Sequence, residues 1–69
     1  MELRNRIREL RARYQLTQQQ LATKVGVTRQ TIAAVEKGEY VPSLLLAMNI
    51  CREFELSVEE VFELKGEMK

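Results

Sequence analysis

Few residues in this 69-residue chain are equipped for covalent chemistry. It has no histidine, one cysteine (Cys51), two serines (Ser43 and Ser57), and ten acidic residues that are all glutamate. Histidine is the usual general base near neutral pH, and Ser or Cys nucleophiles normally lean on one. A single thiol without His or Asp does not build the common zinc or non-haem iron sites, so neither a metal nor a cofactor is expected. The remaining enzymatic reading is a hydrolase or nuclease using Glu59, Glu60 or Glu63 with Mg²⁺. It is weak, because those side chains lie in or beside a helix cap and lack convergent ligands. The chain is read as a non-enzyme.

What the sequence does offer is binding chemistry, in the segment Thr28-Arg29-Gln30-Thr31. An arginine fork can grip guanine O6 and N7 together, and a glutamine amide matches adenine N6 and N7. Thr31 is suited to a thymine methyl or a phosphate. Such groups read bases only from a rigid element that presents them outward, so the elements around them decide the matter.

Helix signals fill nearly the whole length. Asn5 is a plausible N-cap for a first helix with Ile7, Leu10 and Tyr14 on one stripe. Thr17 and Gln20 fit a capping box, opening a second helix that buries Leu21, Ala22 and Val25 and stops at Gly26. Thr28 caps a third with Ile32 and Val35 inside, ended by Gly38 as a left-handed residue. Pro42 and Ser43 start a fourth, through about Phe54, burying Leu44, Ala47, Ile50, Cys51 and Phe54. Ser57 with Glu60 forms another capping box before Val58, Val61 and Phe62. Met1 to Arg4 and Phe62 to Lys65 alternate apolar and charged residues, a strand period at each end, so the two ends can pair as an antiparallel ribbon.

The second and third helices are joined only by Gly26-Val27-Thr28, too tight for an antiparallel hairpin. That spacing predicts a steep crossing, the geometry of a helix-turn-helix whose second helix lies in the DNA major groove. Ala22 is small where the two would meet, and Gly26 supplies the positive φ of the turn. Subtracting the buried stripe Ile32–Val35–Glu36 leaves Arg29, Gln30, Ala33, Ala34 and Lys37 facing out. The two alanines let the helix axis sit deep in the groove.

Charge and length agree with a binding module. The net charge of +1 conceals eight Lys/Arg against three Glu up to Lys37, and three against seven beyond it. The basic half would face a polyanion. Sixty-nine residues make one domain, spanning 1–69, with a marginal core. With one cysteine no intrachain disulfide forms, so self-association is the expected staple. No apolar run approaches the roughly 20 residues that span a membrane, and no secretory signal is recognisable. A free cysteine then reads as cytoplasmic.

The strings L-T-Q-Q-Q-L-A (Leu16–Ala22), V-G-V-T-R-Q-T-I (Val25–Ile32), V-E-K-G (Val35–Gly38), P-S-L (Pro42–Leu44) and E-L-S-V-E-E-V-F (Glu55–Phe62) occur in that order. As an ordered set they resemble the lambda-repressor-like (Cro/CI, XRE) DNA-binding domains over essentially the whole chain. The expected fold class is therefore all-α, a compact five-helix domain with a helix-turn-helix. The small stand-alone members it resembles carry terminal strands, which matches the alternating ends. The chain departs from the family at Gln15 and Glu55, where glycine is common. A left-handed backbone there would cost about 1–2 kcal/mol relative to glycine.

The resemblance implies base reading by Arg29, Gln30, Thr31 and Ala34. Phosphate binding is expected from Gln18, Thr28, Lys37, Tyr40 and Ser43. Gln18 matches the family position that also braces a neighbouring reader, and Tyr40 could equally be a packing residue of its loop. Arg11 and Glu36 match a family ion pair, and both fall on inward edges of their helices, where opposite charges are costly unless they meet. Leu45, Met48, Val58, Val61, Phe62 and Leu64 are the candidate dimer patch, and Cys51 is a buried small hydrophobe. The function expected is a sequence-specific double-stranded-DNA-binding regulator, a repressor, that binds an inverted repeat as a homodimer. No membrane and no small-molecule partner are expected. The alternative is an antitoxin-like or co-regulator module that uses the same fold to bind protein.

Overall fold

The computed structural model describes residues 2–66. Met1, at the head of the first alternating stretch, lies outside them. In chain order the elements are β1 (Glu2–Asn5), α1 (Ile7–Arg13), α2 (Gln18–Val25), α3 (Arg29–Glu36), α4 (Leu44–Phe54), α5 (Val58–Val61) and β2 (Phe62–Lys65). The five helices and short terminal ribbon are those the residue pattern led us to expect. β1 and β2 are antiparallel, with Glu2 opposite Lys65, Leu3 opposite Leu64, Arg4 opposite Glu63 and Asn5 opposite Phe62. Two of these four pairs oppose unlike charges, which favours this register over a one-residue slip.

Ile7, Leu10, Leu21, Ala22, Val25, Ile32, Val35, Leu46, Ile50, Cys51, Phe54, Val61 and Phe62 form one core, with Leu3, Leu16, Val27, Ala47 and Leu56 packed at its margin. Every helix after α1 begins with a hydroxyl cap: Thr17, Thr28, Ser43 and Ser57 each accept the backbone N–H three residues on. Thr17–Gln20 and Ser57–Glu60 are full capping boxes. Burial pushes the Cys51 thiol above its ordinary pKa.

The first four helices end in one way. Leu16, Val27, Glu39 and Leu56 donate their N–H to the carbonyls of Arg11, Ala22, Ala34 and Cys51, five residues back. This closure requires a left-handed residue just before the donor. Gly26 and Gly38 supply it at φ 78°, whereas Gln15 and Glu55 adopt φ 57° and 56°. The two departures from glycine therefore keep the backbone that glycine would have adopted.

Three details differ from the sequence reading. Leu44 is 73% exposed, and Leu46 takes its place in the core. Because α4 starts only at Leu44, its inward stripe runs 46, 50, 51 and 54, which turns the first two leucines outward. Tyr14 falls just past α1 and is half exposed, its ring stacked on Phe54 at 5.6 Å between centroids. Asn5 belongs to β1 and does not occupy the cap position of α1, which is taken by Arg6 without a side-chain cap bond. Asn5 Oδ1 still accepts the Ile7 N–H at 3.1 Å, and its Nδ2 donates to Val35 O at 2.9 Å. One side chain thereby ties the ribbon to the end of α3.

Candidate nucleic-acid interface

The α2–turn–α3 unit is built from short-range hydrogen bonds. Thr17 Oγ1 accepts the Gln20 N–H at 3.0 Å while Gln20 Oε1 accepts the Thr17 N–H at 2.8 Å, which fixes where α2 starts. Gly26 reverses the chain, and Val27, half-buried, anchors the turn to the core. Thr28 restarts the helix by accepting the Thr31 N–H at 3.3 Å. Ile32 and Val35 then hold α3 against the body.

The opposite side of α3 is what remains outside. Arg29, Gln30 and Lys37 are exposed, and Thr31, Ala33 and Ala34 are partly buried. No large apolar side chain from Gln18 to Glu36 is exposed. Thr28 and Thr31 share a hydroxyl–hydroxyl bond of 3.1 Å at the head of the helix. Tyr40 is half exposed on the loop after α3, and the Ser43 Oγ caps α4 by accepting the Leu46 N–H at 3.1 Å.

A polar chain runs from the interior to this face. Arg11 donates through Nε and Nη2 to the two Glu36 oxygens at 2.6 and 3.2 Å, and through Nη1 to Leu16 O at 2.9 Å. The side chains of the pair are 15% and 4% exposed. Gln18 Nε2 donates to Glu36 Oε1 at 3.0 Å, and Arg29 Nη1 reaches Gln18 Oε1 at 3.4 Å. Glu36 therefore accepts three hydrogen bonds, which offsets the cost of burying its charge. Gln18 keeps one amide hydrogen unused, since its nitrogen carries two. Sequence reading placed Arg11 against Glu36 but missed the Gln18–Glu36 link, whose partners are eighteen residues apart and share no local pattern.

The proposed dimer patch divides. Leu45, Met48, Val58 and Leu64 are exposed, but Val61 and Phe62 are 1% and 7% exposed and belong to the core. Those two are withdrawn from the patch. Their period-3 spacing after Val58 resembles a surface stripe, yet α5 is a single turn, and both pack inward as the chain leaves it. Among the described residues no three His, Cys, Asp or Glu side chains converge as a metal site, and no helix is long and apolar enough to cross a membrane.

Comparison with known proteins agrees with this geometry. A family model described as helix-turn-helix matches residues 7–61. The HTH-type transcriptional regulator YgzD of Bacillus subtilis (strain 168), itself uncharacterized, is 55% identical over 65 residues, covering 94% of this chain and 98% of that one. An uncharacterized HTH-type transcriptional regulator of Archaeoglobus fulgidus is also 55% identical, over 60 residues, covering 87% of this chain and 86% of its own. The crystal structure of the restriction-modification controller protein C.AhdI from Aeromonas hydrophila superposes with a TM-score of 0.74 at 31% identity, covering 80% of this chain and 83% of that one. The chain belongs to the lambda-repressor-like (Cro/CI, XRE) helix-turn-helix family of DNA-binding transcriptional regulators.

Proposed function

We propose that this chain is a sequence-specific repressor that binds double-stranded DNA as a homodimer and acts in the cytoplasm by occupying its operator. The observation that carries the reading is α3: a rod fixed by Ile32 and Val35, with Arg29 and Gln30 outside at its N-terminal end, the end that enters the major groove in this motif. Ala33 and Ala34 add no bulk between that helix and the groove. Arg29, Gln30, Thr31 and Ala34 face the bases. Gln18 with its spare amide hydrogen, Thr28, Lys37, Tyr40 and Ser43 take phosphates on either side. Leu45, Met48, Val58 and Leu64 are the surfaces offered to a second copy. Two reading helices then enter successive major grooves about 34 Å apart, so the operator is an inverted repeat with that spacing.

Selection of binding sites from random duplexes, repeated with Arg29→Ala and Gln30→Ala, tests the proposal. Each variant should relax preference at particular base pairs, at a cost of about 1–3 kcal/mol. Uniform weakening on all sequences would show that the two side chains touch only phosphate. The exposed α4 leucines favour a second reading, a protein-binding module of the antitoxin or co-regulator kind. Steep weakening of duplex binding with salt, from counterion release, separates the two.

A further inference from the structure

The reading face does not end at α3. Arg29, Ala33 and Lys37 recur every four residues and form one row along the helix. Beyond Ala33 and Lys37 the row opens into a cleft of about 390 Å³ whose other wall is α1, with Arg8 and Glu9 on that side and Gln18 at the α2 end. Its charges are largely settled within the fold. Glu36 is held by Arg11 and Gln18. Glu9 is held by Arg6 at 2.9 Å and Arg13 at 3.3 Å, and Arg6 keeps its carboxyl below the usual glutamate pKa. Among the described residues Arg8 and Lys37 are the cations of the cleft without an ion-pair or hydrogen-bond partner, and both are exposed at its rim. The spare amide hydrogen of Gln18 adds a donor between them.

We propose that this cleft is a DNA-backbone subsite in which Arg8, from the first helix, holds a phosphodiester together with Lys37 and Gln18. It rests on the DNA-binding reading and extends the contact from α2–α3 onto α1. Two unpaired cations and an amide donor beside an alanine floor fit an anionic strand that continues from the row of reading side chains. The small side chain of Ala33 lets the strand approach the helix. Arg8 carries no base recognition in this arrangement, so its loss affects all sequences alike.

The test uses the full chain, the duplex enriched by wild type from a random pool, and a scrambled duplex of equal length, with affinities measured by fluorescence anisotropy across a salt series. Arg8→Gln should weaken both duplexes by the same factor. The log–log salt slope should fall by about 0.9, equivalent to about eightfold at 0.1 M salt. Arg8→Lys should retain the wild-type slope, and so should Arg52→Gln, which alters a cation near Lys24 and Glu53 at the far ends of α2 and α4. A wild-type slope in Arg8→Gln, or an altered base preference without a slope change, overturns the subsite while leaving the reading of α3 intact. Failure of wild type to enrich any duplex overturns the DNA-binding reading and this subsite with it.

Discussion

The stretch from Gln18 to Glu36 and the surface formed by α4, α5 and the ribbon are finished in opposite ways. In the first, no large apolar side chain is exposed, and a hydrogen-bonded chain runs from Leu16 O through Arg11, Glu36 and Gln18 to Arg29. In the second, Leu44, Leu45, Met48, Val58 and Leu64 are all exposed. A polar, braced surface loses little when it meets another polar surface, because its side chains are already ordered. An uncovered apolar surface gains by meeting its like. One small domain thus carries a face prepared for a charged target and a face prepared for a greasy one.

The largest effect should come from breaking the brace. Arg11→Met leaves the buried Glu36 carboxylate uncompensated and should cost about 3–5 kcal/mol in chemical denaturation. The double variant Arg11→Met/Glu36→Leu should recover much of it, because the stranded charge is gone. An unchanged denaturation midpoint in Arg11→Met would remove the distinction between the two faces.

Next in size is the apolar side. Leu45→Ser/Met48→Ser should shift the chain from dimer to monomer in sedimentation, with a loss of about 2 kcal/mol or more in association if either is a hot spot. Both side chains lie outside the core, so the monomer should retain its fold. A wild-type chain that sediments as a monomer at every concentration would leave this face without its proposed mate.

A smaller effect separates the helix ends on each face. The turn between α2 and α3 uses Gly26 for its left-handed residue, whereas the ends of α1 and α4 force Gln15 and Glu55 into that region. Gln15→Gly and Glu55→Gly should each raise stability by about 0.5–1 kcal/mol, the relief of the Cβ clash less the added chain entropy of glycine. Gly26→Ala should lower it by about 1 kcal/mol even though a Cβ there meets no neighbour within 4 Å, since the cost is conformational. Thermal melts of the three variants compare them directly.

The smallest effect is with pH. Hydrogen bonding to Arg6 lowers the pKa of Glu9, and the Ser57 backbone N–H and hydroxyl lower that of Glu60, both from an ordinary value of 4.5. Folded values below unfolded ones mean that this stabilisation is present above the ordinary value and lost as pH falls through the lowered ones. Both groups are solvent-exposed, so the contribution is small. The double variant Glu9→Gln/Glu60→Gln should therefore lose less melting temperature than wild type between about pH 5 and about pH 3.

The sequence alone determined what depends on near neighbours. Capping boxes span three residues and hydrophobic stripes three or four, so Thr17–Gln20, Ser57–Glu60, the start of each later helix and the inward face of α3 could be read directly. A strand period of two made the ribbon legible even from four residues at each end. Tertiary structure decided what depends on distant partners: the exposure of Leu44, the burial of Val61 and Phe62, the bridge from Asn5 to Val35 O, and the Gln18–Glu36 bond that links the base-reading side to the core. Periodicity gives the angle of a side chain about its own helix axis. Which angle is buried is fixed only when another element packs there, and a hydrogen bond between elements forms only where packing brings donor and acceptor within about 3 Å.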